Sequence, residues 1–225
     1  RSSLTDDDLN KAFEHNCPIR YIEMLLKLSM LDTETSGGCI TTMKITDTSI
    51  EISSVGDAQA RVYVNGELKA VTDEHTGFNE NEIARKRKDG AVFKKEKMMK
   101  CLPPGPKGEI NVTQVWGTRI VHNPYSHYLK HDNSQLSRAA GHAMPGRDSN
   151  TGTIVCKRNI IFNKEDEVVA ICGSDGIWDL VHESEDVSHY KNASKITVDY
   201  CNKWYSTMDF IHSPDHKCEK CSKRR

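Results

Sequence analysis

The sequence predicts an α+β protein built on antiparallel sheet, and three observations predict it. Residues Leu4 to Leu28 carry apolar side chains at three-to-four spacing, the period of a helix with one buried face. Residues 39–71 then switch to short β-branched runs divided by turn residues, the mark of strands joined by tight hairpins. A second set of strand-like runs follows at 153–172, after a long stretch with neither period.

Taken in order, Asp6, Asp7 and Asp8 supply negative charge where a helix N-terminus favours it, and Ala12, Phe13, Ile22, Leu25, Leu26 and Leu28 recur at helical spacing. Pro18 is expected to divide this region into two helices. Cys39–Ile45 and Ser49–Val55 read as strands around a Thr-Asp-Thr turn. Arg61–Val64 and Glu67–Val71 flank Asn65-Gly66, the dipeptide best suited to a type I′ hairpin. Together these four runs read as one antiparallel meander. Residues 76–135 lose that regularity: eight basic residues fall between Arg85 and Lys100, and Leu102-Pro103-Pro104-Gly105-Pro106 cannot continue a helix or central strand. This segment is expected to be an irregular basic flap inserted at the surface. Thr153–Cys156 and Asn159–Phe162 restore strand character. After a charged turn, Val168–Cys172 reads as a central strand buried on both faces. The domain is expected to end near residue 205, with 206–225 a frayed polar tail.

With 31 Lys+Arg against 32 Asp+Glu, the chain has no global field to gather nucleic acid or an anionic membrane. Its longest aliphatic run, Val168–Cys172, is far short of the roughly 20 apolar residues of a membrane helix. The expectation is therefore a monomer that binds neither. The eight cysteines are scattered, several within apolar runs where Cys behaves as a small buried hydrophobe, which points to a reducing intracellular compartment, cytoplasmic or nuclear. The first residue is Arg1 and no charged-then-apolar leader follows it, so the numbering is expected to start inside a longer product.

Two segments carry the chemistry. Val168 to Cys172 runs into Gly173-Ser174-Asp175-Gly176, a geometry that delivers the Asp175 carboxylate from a rigid strand to the rim of a sheet. Asp175 is thus a candidate metal ligand; the competing reading is a cap for the helix that follows. Asp179, one helical turn later, reads as an ordinary first-turn acid. Ser53 to Val55 ends similarly on Gly56-Asp57. Two strand-end carboxylates, Asp57 and Asp175, suggest a hard-cation site, because Mg²⁺ and Mn²⁺ take oxygen ligands. A turn is the competing reading for Asp57.

These residues belong to a longer series: Ser36-Gly37-Gly38-Cys39-Ile40; Val55-Gly56-Asp57 with Ala60; Val71-Thr72-Asp73-Glu74-His75 followed by Glu82 and Arg85; Gly90-Ala91-Val92; Leu136-Ser137-Arg138-Ala139-Ala140-Gly141; and Asp166-Glu167-Val168 through Ser174-Asp175-Gly176-Ile177-Trp178-Asp179. The series resembles the metal-dependent (PPM, type 2C) serine/threonine protein phosphatases over roughly residues 4 to 200. The resemblance implies two stacked antiparallel β-sheets flanked by helices. It also implies a Mg²⁺ or Mn²⁺ centre whose activated water hydrolyses phosphoserine and phosphothreonine in phosphoprotein substrates, with no side-chain nucleophile. Carried over by position, Asp175 resembles the ligand of the catalytic metal pair and Asp57 that of an additional, weaker metal. The chain also departs from the pattern. The family's Asp-Gly-His-Gly-Gly is expected upstream of residue 1, His142 stands where the family has Asp, and Asn192 to Val198 matches a ligand-bearing Asp-Asn strand only in flavour, with Asp199 and Asp209 poor substitutes. A catalytically inactive pseudophosphatase, kept as a binding or scaffolding module, is the alternative.

His212, His216, Cys218 and Cys221 have zinc-ligand chemistry but crowd into ten residues, so coincidence is the stronger reading. The basic run 85–100 suits a solvated face better than an import signal or a patch for phosphorylated partners. Ser36 has no partner histidine at motif spacing, which argues against a serine hydrolase.

Overall fold

The computed structural model describes residues 5–28, 37–88, 92–102, 111–121, 133–134, 138, 140–141, 156–182 and 185–211. In chain order its elements are α1 (Asp6–Glu14), α2 (Pro18–Leu28), β1 (Gly37–Gly38), β2 (Ile40–Ile45), β3 (Ser49–Val55), β4 (Gln59–Val64), β5 (Glu67–Val71), α3 (Glu80–Lys88), β6 (Val92–Leu102), β7 (Asn111–Val121), β8 (Asn133–Ser134), β9 (Ala140–Gly141), β10 (Cys156–Ile161), β11 (Val168–Gly173), α4 (Asp175–Trp178) and α5 (Ala193–Ile211). They divide into two compact units, one drawn from 1–98 and 116–175, the other from 99–115 and 176–225. Among the described residues no helix is long and apolar enough to cross a membrane.

In the first unit, α1 begins at a reciprocal capping box. The Thr5 hydroxyl accepts from the Asp8 N–H at 3.2 Å while the Asp8 carboxylate accepts from the Thr5 N–H at 2.9 Å. Pro18 does divide the helices and opens α2, where its missing N–H costs nothing. Strand β3 is the centre of one antiparallel sheet, with β2 on one side (Ile40↔Val55 to Ile45↔Ile50) and β10 on the other (Cys156↔Ser54 to Ile161↔Ser49). Strand β4 is the centre of a second, with β5 and β11 as its neighbours. Asn65 and Gly66 both have positive φ, 52° and 78°, as the hairpin between β4 and β5 requires.

The four N-terminal runs are therefore not one meander. The β2–β3 and β4–β5 hairpins lie in different sheets, and the chain changes sheet between Val55 and Gln59. Alternation explains why. Ile50 and Ile52 of β3 form one buried cluster with Ala60, Val62 and Val64 of β4 and Ile160 of β10, and Met43, Ala70, Phe162, Val168 and Ala170 pack around it. Two half-apolar sheets cover each other by stacking face to face, and each fully buried aliphatic side chain contributes about 1.5–3 kcal/mol. A single flat meander would leave those faces in water. The architecture is thus the expected pair of stacked antiparallel sheets with helices.

Other expectations change. Strand β11 is not central: it lies at one edge of its described sheet, half-buried, while β4, buried along its whole length, takes the centre. An apolar run cannot by itself distinguish those positions. Where irregular chain was expected after residue 76, α3 spans Glu80–Lys88 and β6, β7 and β8 form a further sheet in that order.

In the second unit, α5 continues to Ile211, past the expected end near 205. Its start is capped by Asn192, whose side-chain oxygen accepts from the N–H groups of Ser194 (2.8 Å) and Lys195 (3.3 Å). Ile196 and Tyr200, four residues apart, are buried. The Tyr200 hydroxyl donates to Glu185 at 3.0 Å, and Lys203 reaches the same carboxylate at 3.3 Å.

Candidate functional site

The register of β4 with β11 places the two candidate carboxylates. Gln59 pairs with Gly173 across the antiparallel ladder, so Asp57 lies two residues before that pair and Asp175 two residues after it, and both leave the same end of the sheet. The end of the other sheet adds Cys39, one residue before the Ile40↔Val55 pair.

The turn bearing Asp57 is held from several sides. Gly56 has φ +95°, and a Cβ there would collide with the side chain and backbone of Cys39, so both conformation and space require glycine. Its N–H donates to Nδ1 of His75 at 2.9 Å, and the His75 N–H donates back to the Gly56 carbonyl at 3.0 Å. Downstream, the Thr41 hydroxyl donates to the Ala58 carbonyl at 2.5 Å, the Gln59 amide donates to Glu74 at 2.7 Å, and the Ala60 N–H donates to the Thr72 hydroxyl at 2.9 Å. A half-buried carboxylate on so constrained a turn has its direction set before any ligand arrives.

His75 is fully buried, and burial lowers its pKa to about 4, helped by the positive charge of Arg138. It is the neutral form, able to accept at Nδ1, that the Gly56 N–H meets. Behind it, Glu82 of α3 is gripped by two arginines: Arg138 donates to its oxygens at 2.5 and 3.0 Å and Arg85 at 2.7 and 3.4 Å. The half-buried Cys39 thiol is pushed up to about 12, first by burial and then by a hydrogen bond with Asp57. It therefore stays a thiol at neutral pH and supplies neither a nucleophile nor a soft thiolate ligand.

Asp175 is exposed and is the first residue of the short helix α4. Asp57 and Asp175 suit a hard cation in kind, since both offer anionic oxygen. In number they fall short of a binuclear centre, because among the described residues no three His, Cys, Asp or Glu side chains are grouped to hold a metal ion. Two carboxylates at one sheet end, with water completing the shell, are what the described residues offer. Asp199 is engaged elsewhere, accepting from the Tyr190 hydroxyl at 3.0 Å, and Asp209 lies on the same helix. Asn192 to Val198 is the capped start of α5 rather than a strand. His142, His212, His216, Cys218 and Cys221 lie outside the described residues. Sequence reasoning passed over the roles of His75, Cys39 and Thr41, since a buried acceptor and a clamping hydroxyl leave no periodic signal.

The sequence profile of the family Protein phosphatase 2C matches residues 1–111. No curated protein sequence matches the chain. Among solved structures, the serine-threonine phosphatase 2C of Toxoplasma gondii superposes with a TM-score of 0.55 at 14% identity, covering 92% of this chain and 68% of its own. A C. elegans sex-determining protein superposes with a TM-score of 0.51 at 18% identity, covering 88% of this chain and 47% of its own. The chain thus spans about two thirds of the first structure's length and about half of the second's. Over its first 111 residues the chain is similar to the protein phosphatase 2C family, and its fold is that of the phosphatase 2C structure.

Proposed function

We propose that this chain belongs to a metal-dependent phosphatase domain that hydrolyses phosphoserine and phosphothreonine in phosphoprotein substrates, with Asp57 and Asp175 contributing to a Mg²⁺ or Mn²⁺ site. The observation that carries this reading is the Gln59↔Gly173 register, which sends both carboxylates from one sheet end. A divalent cation supplies such a site with charge neutralisation at the phosphoryl oxygens and a water acidified for attack on phosphorus. The chain's own part is positional: the Gly56 turn, tied to His75 and Thr41, fixes the direction of Asp57, and the end of β11 fixes the backbone from which Asp175 leaves.

A second reading, a phosphatase-like module that binds without turning substrate over, is favoured by two residues. Asn192 spends its side chain on capping α5 where the family pattern has a ligand-bearing strand, and His142 replaces an expected carboxylate.

Calorimetric titration of Mn²⁺ against the wild-type chain and Asp175→Asn tests the assignment. An amide in place of an anionic oxygen should weaken binding by about tenfold or more. Asp175 is exposed, so the substitution should leave the fold intact. Equal affinities for the two forms would remove Asp175 from the site.

A further inference from the structure

We propose that the exposed face of the β6–β7 ribbon is a docking surface for an acidic segment of a protein partner. The basic run that begins at Arg85 splits in two. Arg85 is spent on Glu82, and Lys86 is 1% exposed, so both belong to the packing of α3. Arg87, Lys88, Lys94, Lys95 and Lys97 are all exposed. From Arg87 to Lys100 the chain has six basic residues against two acidic ones, Asp89 and Glu96, in a protein whose overall charge is −1. The excess is local, and a local excess selects a local partner.

Lysines along a strand often serve only to keep strands of other molecules away. Two observations go beyond that role. Trp116 of β7 is 68% exposed, leaving a large apolar ring in water on the same ribbon. The cations are also ordered around rings: the Lys97 ammonium lies 5.9 Å from the centroid of Trp116, and the Arg87 guanidinium 5.4 Å from that of Phe93. Strand alternation puts Phe93, Lys95 and Lys97 on one face of β6. The result is a strip of cations beside an uncovered indole. Its complement is a chain with carboxylates for the cations and an apolar side chain to cover the ring.

A nucleic-acid strand is the rival occupant, and the composition of the strip disfavours it. Binding to successive bases uses a row of aromatic platforms, whereas Trp116 is the one largely exposed aromatic among the described residues of the ribbon. Four of the five exposed cations are lysines, which suit scattered carboxylates as point charges.

The test is fluorescence anisotropy of a fluorescein-labelled, glutamate-rich peptide containing leucines, titrated with the full chain. Binding should weaken as salt is raised. Reversing the charges in Lys95→Glu/Lys97→Glu should weaken it by about tenfold or more, and Trp116→Ala should weaken it to a similar extent. The milder Lys95→Gln/Lys97→Gln pair, checked with the others by circular dichroism, guards against a folding defect. Absence of peptide binding, unchanged binding by the folded variants, or tighter binding of labelled oligothymidylate than of the peptide would overturn the proposal, the last by assigning the strip to nucleic acid.

Discussion

His75 is a base that the fold needs uncharged. Its Nδ1 accepts the Gly56 N–H at 2.9 Å, and a protonated ring could only donate there. Burial and then Arg138 lower its pKa from 6.5 to about 4, with Arg85 acting in the same direction, while the negative charges of Glu82 and Asp73 oppose them. For a base whose folded pKa is depressed, the unfolded chain binds more protons between the two values, so stability rises with pH across that window. The contribution of His75 should therefore be complete above about pH 6.5 and lost as pH falls towards 4, on the order of 3 kcal/mol in all. Urea unfolding at a series of pH values would show it as a slope that flattens in His75→Asn, whose amide oxygen can still accept. An equal slope in the variant would place the acid lability elsewhere. None of this is legible in the sequence, because the role of His75 depends on a glycine 19 residues away.

At the scale of elements, legibility followed the range of the interactions. The β4–β5 hairpin could be read from Asn65-Gly66 because the turn chemistry is local. The division at Pro18 and the start of α1 were legible for the same reason. Helix α3 was not, since its mostly polar sequence has no apolar repeat beyond Ile83 and Ala84, and it is anchored by Glu82, clasped by an arginine 56 residues further along the chain. Glu82→Ala should leave Arg138, whose side chain is 11% exposed, without its buried counter-charge, at a cost of about 3–5 kcal/mol. Double-mutant cycles in urea should give a larger coupling for Glu82 with Arg138 than with Arg85, which is 23% exposed and makes one of its two bonds at 3.4 Å. Equal couplings would mean that the local i,i+3 contact, rather than the long-range one, holds the helix. The assignment of β11 as a central strand failed on a related point: its apolar run reports burial, but which neighbours cover a strand is decided by pairing with distant segments.

At the scale of the whole molecule, the strand-end positions of Asp57 and Asp175 were legible, and whether they hold a cation is what the Asp175→Asn titration tests. Asp57 and Asp175 could be picked out because each follows a strand and a glycine-bearing turn, and the register of β4 with β11 then sends them from one end. Further ligands would come from other segments, and no spacing rule links those segments to Asp57 or Asp175. Two-metal hydrolysis needs a bridging carboxylate to hold both ions near the attacking water and a basic group to orient the phosphoryl oxygens. Among the described residues no group of three metal-binding side chains is assembled, Asp199 is bonded to Tyr190, and Asn192 caps a helix. We therefore expect the 225-residue chain, expressed alone with millimolar Mn²⁺, to turn over p-nitrophenyl phosphate or a phosphothreonine peptide near background while still binding the cation through Asp175. Each interaction missing from the transition state costs about tenfold in rate per 1.4 kcal/mol, so a site short of even two or three such contacts falls by several such factors at once. A Mn²⁺-dependent rate comparable with that of ordinary phosphatases, abolished by Asp175→Ala, would show instead that the chain completes its own site. His142, placed by the family pattern where a carboxylate stands, would then be the first residue to replace.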